Sequence, residues 1–148
     1  MNLRTKIKRV RDVELPRYAK PGDSGFDLVA AEDTIIRPGE TKVVQTGLAF
    51  EIPTGYELQV RPRSGMTRNT KLRVVLGTVD SGYRGEVGVL VDNTEIPKAA
   101  NMQAHVIEKG TRIAQGVIAP VITAHFEEVD ELSDSERGVG GFGSTGVK

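Results

Sequence analysis

Apolar and polar side chains alternate along much of this chain, the two-residue period of half-buried β-strands. Tyr56, Leu58 and Val60 point one way, while Glu57, Gln59 and Arg61 point the other. Further strand candidates are Thr41–Ala49, Leu72–Leu76, Val87–Val91, Gln103–Ile107 and Arg112–Val121. Turn-forming residues separate them at Arg37-Pro-Gly-Glu, Pro53-Thr-Gly, Asp80-Ser-Gly, Asp92-Asn and Lys109-Gly. Helical periodicity is nearly absent, and a single helical turn fits after Ser64. Many short strands with turns at this spacing predict an all-β sandwich, barrel or jelly roll. No repeat or interdomain linker interrupts residues 1–126. The polar run Glu127–Glu136 reads as a flexible lead into a glycine-rich terminus, so residues 127–148 form an arm on a single β domain.

Composition narrows the partners. The 148 residues fit one domain with a substantial core. Twenty basic and twenty acidic side chains cancel, which argues against a general nucleic-acid or membrane-surface binder. Two local basic clusters remain, Arg4 to Arg11 and Arg61 to Arg73. The absence of cysteine excludes disulfides, thiolate metal sites and cysteine nucleophiles. Met1 to Val10 is charged and unlike a secretory signal, and no segment has the length of a transmembrane helix, so a soluble cytoplasmic protein is expected.

The last twelve residues, Arg137 to Lys148, carry glycines at 138, 140, 141, 143 and 146. Without Cβ atoms, backbone N–H groups can close around an anion. Arg137, Ser144 and Thr145 add donors, and Phe142 adds a flat apolar face suited to a planar base. A mobile tail has the same composition.

Four other places carry chemistry. Asp80 lies in a turn between strand-like stretches, read as the tip of a β-hairpin, with Tyr83 three residues on. A carboxylate there is either a turn former or a group reaching a water or metal. Arg63, Ser64 and Gly65 can donate to phosphate oxygens, or form a basic surface loop. Asp23-Ser-Gly-Phe-Asp27 places two carboxylates around a glycine but lacks the ligand ladder of an EF-hand, and an Asx-turn is the alternative. Gln115 interrupts an apolar strand, where a glutamine ordinarily faces solvent or satisfies nearby backbone. His105 and His125 stand far apart in sequence, which argues against zinc or iron, and no serine has a plausible His–Asp pair. Hard-cation chemistry remains, with magnesium arriving on a nucleotide.

Taken in order, these segments resemble the five motifs of the trimeric dUTP pyrophosphatases (dUTPases). They are Ser24-Gly-Phe-Asp-Leu-Val-Ala-Ala31, Pro62-Arg-Ser-Gly-Met66, Gly77-Thr-Val-Asp-Ser-Gly-Tyr-Arg-Gly-Glu-Val87, Gly110-Thr-Arg-Ile-Ala-Gln115 and Arg137 to Gly146. The resemblance implies a jelly-roll-like subunit in a homotrimer, with each active site shared among subunits and the glycine-rich arm reaching a neighbour. It assigns Asp80 as the base that activates water and Tyr83 as the residue that packs on deoxyribose and excludes a 2′-hydroxyl. It gives uracil pairing to the main chain of Gly77, Thr78, Val79 and Gly88. Arg63, Ser64, Gly65 and Gln115 would hold phosphates, and Asp27 would help place magnesium through water. Arg137, Gly143, Ser144 and Thr145 would grip the terminal phosphate while Phe142 covers the base. The implied reaction is hydrolysis of dUTP to dUMP and pyrophosphate, limiting uracil in DNA and supplying dUMP for dTMP synthesis. Gly116 departs from the family pattern, where a larger apolar residue is usual.

Two rivals follow from the same resemblance. A dCTP deaminase would need a catalytic glutamate on the strand after the Asp80 turn, where this chain has Leu90. A regulatory protein would use nucleotide occupancy to choose a protein partner, with the arm as its order–disorder switch.

Overall fold

The computed structural model describes residues 2–97, 103–143 and 146. Ten strands and one short helix follow in order: β1 Lys6–Arg9, β2 Phe26–Val29, β3 Thr34–Ile36, β4 Thr41–Glu51, β5 Tyr56–Arg61, α1 Ser64–Asn69, β6 Leu72–Val74, β7 Gly77–Val79, β8 Glu86–Asn93, β9 His105–Ile107 and β10 Arg112–Pro120. One four-stranded sheet runs β1-β4-β8-β6 and another β2-β10-β5-β7, while β3 pairs with β9. The pairings are antiparallel.

Alternation explains which faces meet. Val87, Val89 and Val91 of β8 are buried while Gly88 and Leu90 face outward. Leu58 and Val60 of β5 are likewise buried, with half-buried Tyr56 packed beside them, as the sequence pattern predicts. Leu28, Ile36, Val44, Leu72, Ile107 and Ile113 complete the centre of one core between the sheets.

Two strands depart from simple alternation. In β4, Thr46 through Phe50 are all buried, because the register against β8 slips between Gln45 and Ala49. Gly47 turns this bulge at φ +73°, where a Cβ would lie 2.8 Å from Val13. In β10, a second slip separates Arg112 from Ala114. Gly116 has its physical reason here: a Cβ at this position would meet the Phe26 ring at 2.7 Å, so Phe26 fills the space.

The expected hairpin is corrected. β7 pairs with β5 of one sheet, whereas β8 pairs with β4 and β6 of the other. The Asp80 turn is therefore a crossing between sheets. It looks like a hairpin locally because its turn chemistry is the same, and only the partner strands distinguish the two. β1, β2 and β3 are further additions to the strands read from sequence. Charged Lys6, Lys8 and Arg9 conceal β1, an edge strand that leaves only Ile7 against the core.

Candidate functional site

Three of the sequence-derived segments meet at one end of the β2-β10-β5-β7 sheet. Gln115 of β10 sits opposite Asp27 of β2 on one side and Arg61 of β5 on the other. The chain leaves β5 through Pro62, whose carbonyl accepts a 3.0 Å hydrogen bond from Gln115 Nε2. Gln115 thus satisfies nearby backbone and ties down the entry to α1. Gly25 leaves room for this side chain, since a Cβ there would lie 2.5 Å from Gln115 Oε1 and displace the amide.

Arg63, held by this loop, places Nε 3.1 Å from Asp27 Oδ1. Arg112 Nε lies 3.8 Å from the other carboxylate oxygen, and Arg63 Nη1 donates to the Arg112 carbonyl at 3.3 Å. Ser64 and Gly65 follow, exposed in the first turn of α1, where backbone N–H groups lack intrahelical acceptors. A cavity of about 590 Å³ adjoins Asp27, and Arg9, Arg17, Lys109 and Arg112 stand among its walls. The two guanidinium groups outnumber the one carboxylate they pair with, and their remaining N–H groups, with the free backbone donors of α1, are of the type that binds phosphate oxygens. Sequence reasoning missed Arg112, although its place three residues before Gln115 was a usable signal: the pair lines one end of the same strand.

Asp23 and Asp27 part company. Asp23 accepts from the Lys20 N–H at 3.0 Å in a local turn, the structural alternative, whereas Asp27 faces the arginines.

A second group surrounds the sheet crossing. The Tyr83 N–H donates to the Asp80 carbonyl at 3.0 Å, closing the turn. Asp80 is exposed, and among the described residues its carboxylate makes no hydrogen bond or ion pair. Tyr83 folds back so that its hydroxyl donates to the Glu86 carbonyl at 2.9 Å. Its ring covers Gly85, where a Cβ would sit 2.6 Å from Tyr83 Cζ. Among the described residues, Gly77, Thr78 and Val79 form an edge strand with β5 on one side alone. Gly88 pairs with Gln45, while β6 reaches only Val91–Asn93, so the first half of β8 also has one strand neighbour. Two main-chain edges therefore diverge from the turn.

These two groups do not converge within one chain. Asp27 is on β2 and the Asp80 turn follows β7, at opposite edges of the sheet. Three interstrand spacings put them about 14 Å apart across the strands. They also sit toward opposite ends of β5, since Gln115 pairs with Arg61 but Val79 pairs with Leu58.

The arm forms a third part. Residues 121–139 are exposed and contain no strand or helix. Arg137 Nε donates to the Gly140 carbonyl at 2.6 Å, the Gly140 N–H returns to the Arg137 carbonyl, and Gly143 at φ +82° continues the turns. Phe142 projects fully into solvent. Ser144 and Thr145 lie outside the described residues.

Among the described residues no three carboxylate or imidazole groups gather as a metal site. Asp27 is a lone carboxylate, which fits magnesium only in the form the ion favours, with most ligands supplied by water and phosphate.

The fold is all-β and jelly-roll-like. A family model described as dUTPase matches residues 11–146. A deoxyuridine 5'-triphosphate nucleotidohydrolase from Nautilia profundicola is 50% identical over 97% of this chain and 99% of its own. Among solved structures, a variant dUTPase of Staphylococcus bacteriophage 80alpha with dUpNHpp superimposes with TM-score 0.87 at 32% identity, covering 99% of this chain and all of that one. The 80alpha protein is elsewhere described as controlling transfer of virulence genes by a G protein-like mechanism. A phage phi11 dUTPase described as coordinating a structural Mg(II) ion matches with TM-score 0.79 at 25% identity, covering 87% and 98% of the two chains. The chain belongs to the dUTPase family.

Proposed function

We propose that this protein hydrolyses dUTP to dUMP and pyrophosphate, with water attacking the α-phosphorus. The observation that carries the reading is the unpartnered Asp80 carboxylate on a turn whose other functional side chain, Tyr83, is held in place. Asp80 takes the proton from water as general base. Arg63, Ser64, Gly65 and Gln115 hold the phosphates and stabilise charge on the leaving pyrophosphate. Asp27 would hold a magnesium ion through water beside the substrate phosphates, and the ion would supply further neutralisation of that charge.

The free main-chain edges of Gly77–Val79 and Gly88 read the base. Uracil N3 donates a hydrogen bond where cytosine N3 accepts one, and each mispaired buried group costs about 1–3 kcal/mol. Thymine presents the same edge and is rejected by contact with its methyl group. The Tyr83 ring packs on deoxyribose and leaves no room for a 2′-hydroxyl. Leu90 is an alkyl side chain and cannot transfer a proton, which disfavours deamination.

Separation of the Asp27 and Asp80 groups supports a site completed between copies, in a homotrimer. Exposed Val43, Val75, Leu76 and Leu90 give the β4-β8-β6 sheet an apolar outer patch suited to that association. Exposed Ile122, Phe126 and Leu132 suit an arm that packs on a neighbouring copy, bringing Arg137, Phe142, Gly143, Ser144 and Thr145 to its nucleotide.

A second role, nucleotide-dependent choice of a protein partner, rests on likeness to the 80alpha protein. Pulldowns with and without dUpNHpp test it, and no nucleotide-responsive partner would end it.

Pyrophosphate release from dUTP, dTTP, dCTP and UTP, with and without magnesium, tests the enzymatic reading. Magnesium-dependent release from dUTP alone is expected. Binding of dUTP without release would replace hydrolysis with nucleotide sensing.

A further inference from the structure

The β4 bulge removes ladder partners at the point where β8 leaves the Asp80 turn. Two side chains replace them. Thr46 Oγ1 donates to the Val87 carbonyl at 2.7 Å, and Glu86 Oε2 accepts the Gly47 N–H at 2.8 Å. Glu86 then faces Arg11, whose Nε and Nη2 donate to its two oxygens at 2.7 and 3.2 Å. Arg11 Nη1 reaches Glu32 at 3.1 Å, and the neighbouring Val10 N–H donates to the Gly47 carbonyl at 2.8 Å. The hydrogen bond to Glu86 raises the Arg11 pKa above its ordinary value despite opposing desolvation, with the charges of Glu86 and Glu32 adding to the rise.

Glu86 carries two connections. Its carboxylate joins the N-terminal segment and the bulge, while its carbonyl receives the Tyr83 hydroxyl. Any displacement of Glu86 therefore moves the acceptor that orients Tyr83, in the same short turn as Asp80. Only about a fifth of the Glu86 side chain is exposed, against 39% for Arg11, so the carboxylate end of the pair is the better shielded.

We propose that Arg11 and Glu86 form a bidentate clasp that positions the Asp80–Tyr83 turn, and so acts on both turnover and rejection of ribonucleotides. Both are positioning residues and neither touches the reacting atoms. The proposal rests on the dUTPase reading above. It also assigns a task to the N-terminal basic cluster, which contains Arg11 and has no role in the motif set.

The test uses full-length Glu86→Gln, Arg11→Ala and Arg11→Lys, with Lys8→Gln as a surface-charge control, since Lys6 pairs with Glu51 and Glu51 with Arg84 of the turn itself. Turnover of dUTP and UTP is measured beside amide hydrogen exchange across Asp80–Glu86. Glu86→Gln retains an acceptor for Gly47 but replaces the bidentate carboxylate. It and Arg11→Ala are expected to lower dUTP kcat and the dUTP-to-UTP ratio of kcat/KM by about tenfold each, since small misplacement of reacting groups has large kinetic effects. Exchange in the turn is expected to rise by a similar factor. Arg11→Lys recovers part of the selectivity, and Lys8→Gln leaves it unchanged.

Wild-type selectivity and exchange in folded Glu86→Gln and Arg11→Ala overturn the clasp. So does a fall in dUTP and UTP turnover in equal proportion with unchanged exchange. An inactive wild type refutes the dUTPase reading alone, because exchange still reports whether the turn loosens. If Arg11→Ala does not fold, Arg11→Lys decides: unchanged exchange and selectivity reject the proposal.

Discussion

Among the described residues Asp80, like Asp12, Asp130 and Asp134, has a carboxylate without a partner, but of these four only Asp80 stands on the crossing between the two sheets. Asp23 accepts from Lys20, Asp27 faces Arg63, Asp33 accepts from Lys109 and Asp92 from Thr41. Those contacts stabilise turns, ladders or the arginine cluster at Asp27, whereas the Asp80 carboxylate is left without a partner among the described residues. Asp80→Asn preserves shape but removes the base, so kcat for dUTP should fall by about 10²–10⁴-fold, with nucleotide affinity largely retained. Pyrophosphate release and equilibrium binding measure the two separately, and near-wild-type turnover would remove Asp80 from that role. At this scale the motif order in the sequence identified Asp27, Arg63, Asp80, Tyr83 and Gln115 as candidates. It could not show that Asp23 and Asp27 face different partners, because their chemistry is identical.

Element-scale reading was strongest where one face is buried and the other polar, as in β5 and β8. It weakened at β4, where the Gly47 bulge places five successive residues inside, and at β1, where charge masks an edge strand. The sheet crossing at Asp80 had the turn residues of a hairpin. Only pairing of β7 with β5 and β8 with β4 set it apart. The terminal arm makes a separate prediction. Since none of the described residues from 138 onward belongs to the hydrophobic core, deleting residues 138–148 is expected to leave that core in place. The truncated protein should retain its melting temperature and self-association while dUTP turnover falls at least about tenfold, as expected for loss of a closing lid. Normal turnover in that variant would reject the lid.

For the whole molecule, the distance between the Asp27 and Asp80 groups is the decisive fact. One copy presents the Asp27–Arg63–Arg112 cluster at one sheet edge and the Asp80 turn at the other, so the proposed site would need self-association to bring the two together. Leu90→Asp tests this directly. Leu90 is exposed in the single chain, where such changes usually alter stability by less than about 0.5 kcal/mol. A carboxylate in an apolar contact should instead weaken association, measured by sedimentation, and reduce turnover in step with the assembled fraction. Unchanged association would separate the patch from the interface.

Sequence alone determined the all-β class, the order of the five motifs and the residue types available for nucleotide chemistry. Those follow from local periodicity and from which functional groups the side chains carry. Tertiary structure decided that Arg112 joins Arg63 at Asp27, that Gly116 makes room for Phe26, and that Arg11 reaches Glu86. Each of these depends on strand register and bulges that join residues distant in sequence. Their contacts arise from packing across the core and have no period along the chain.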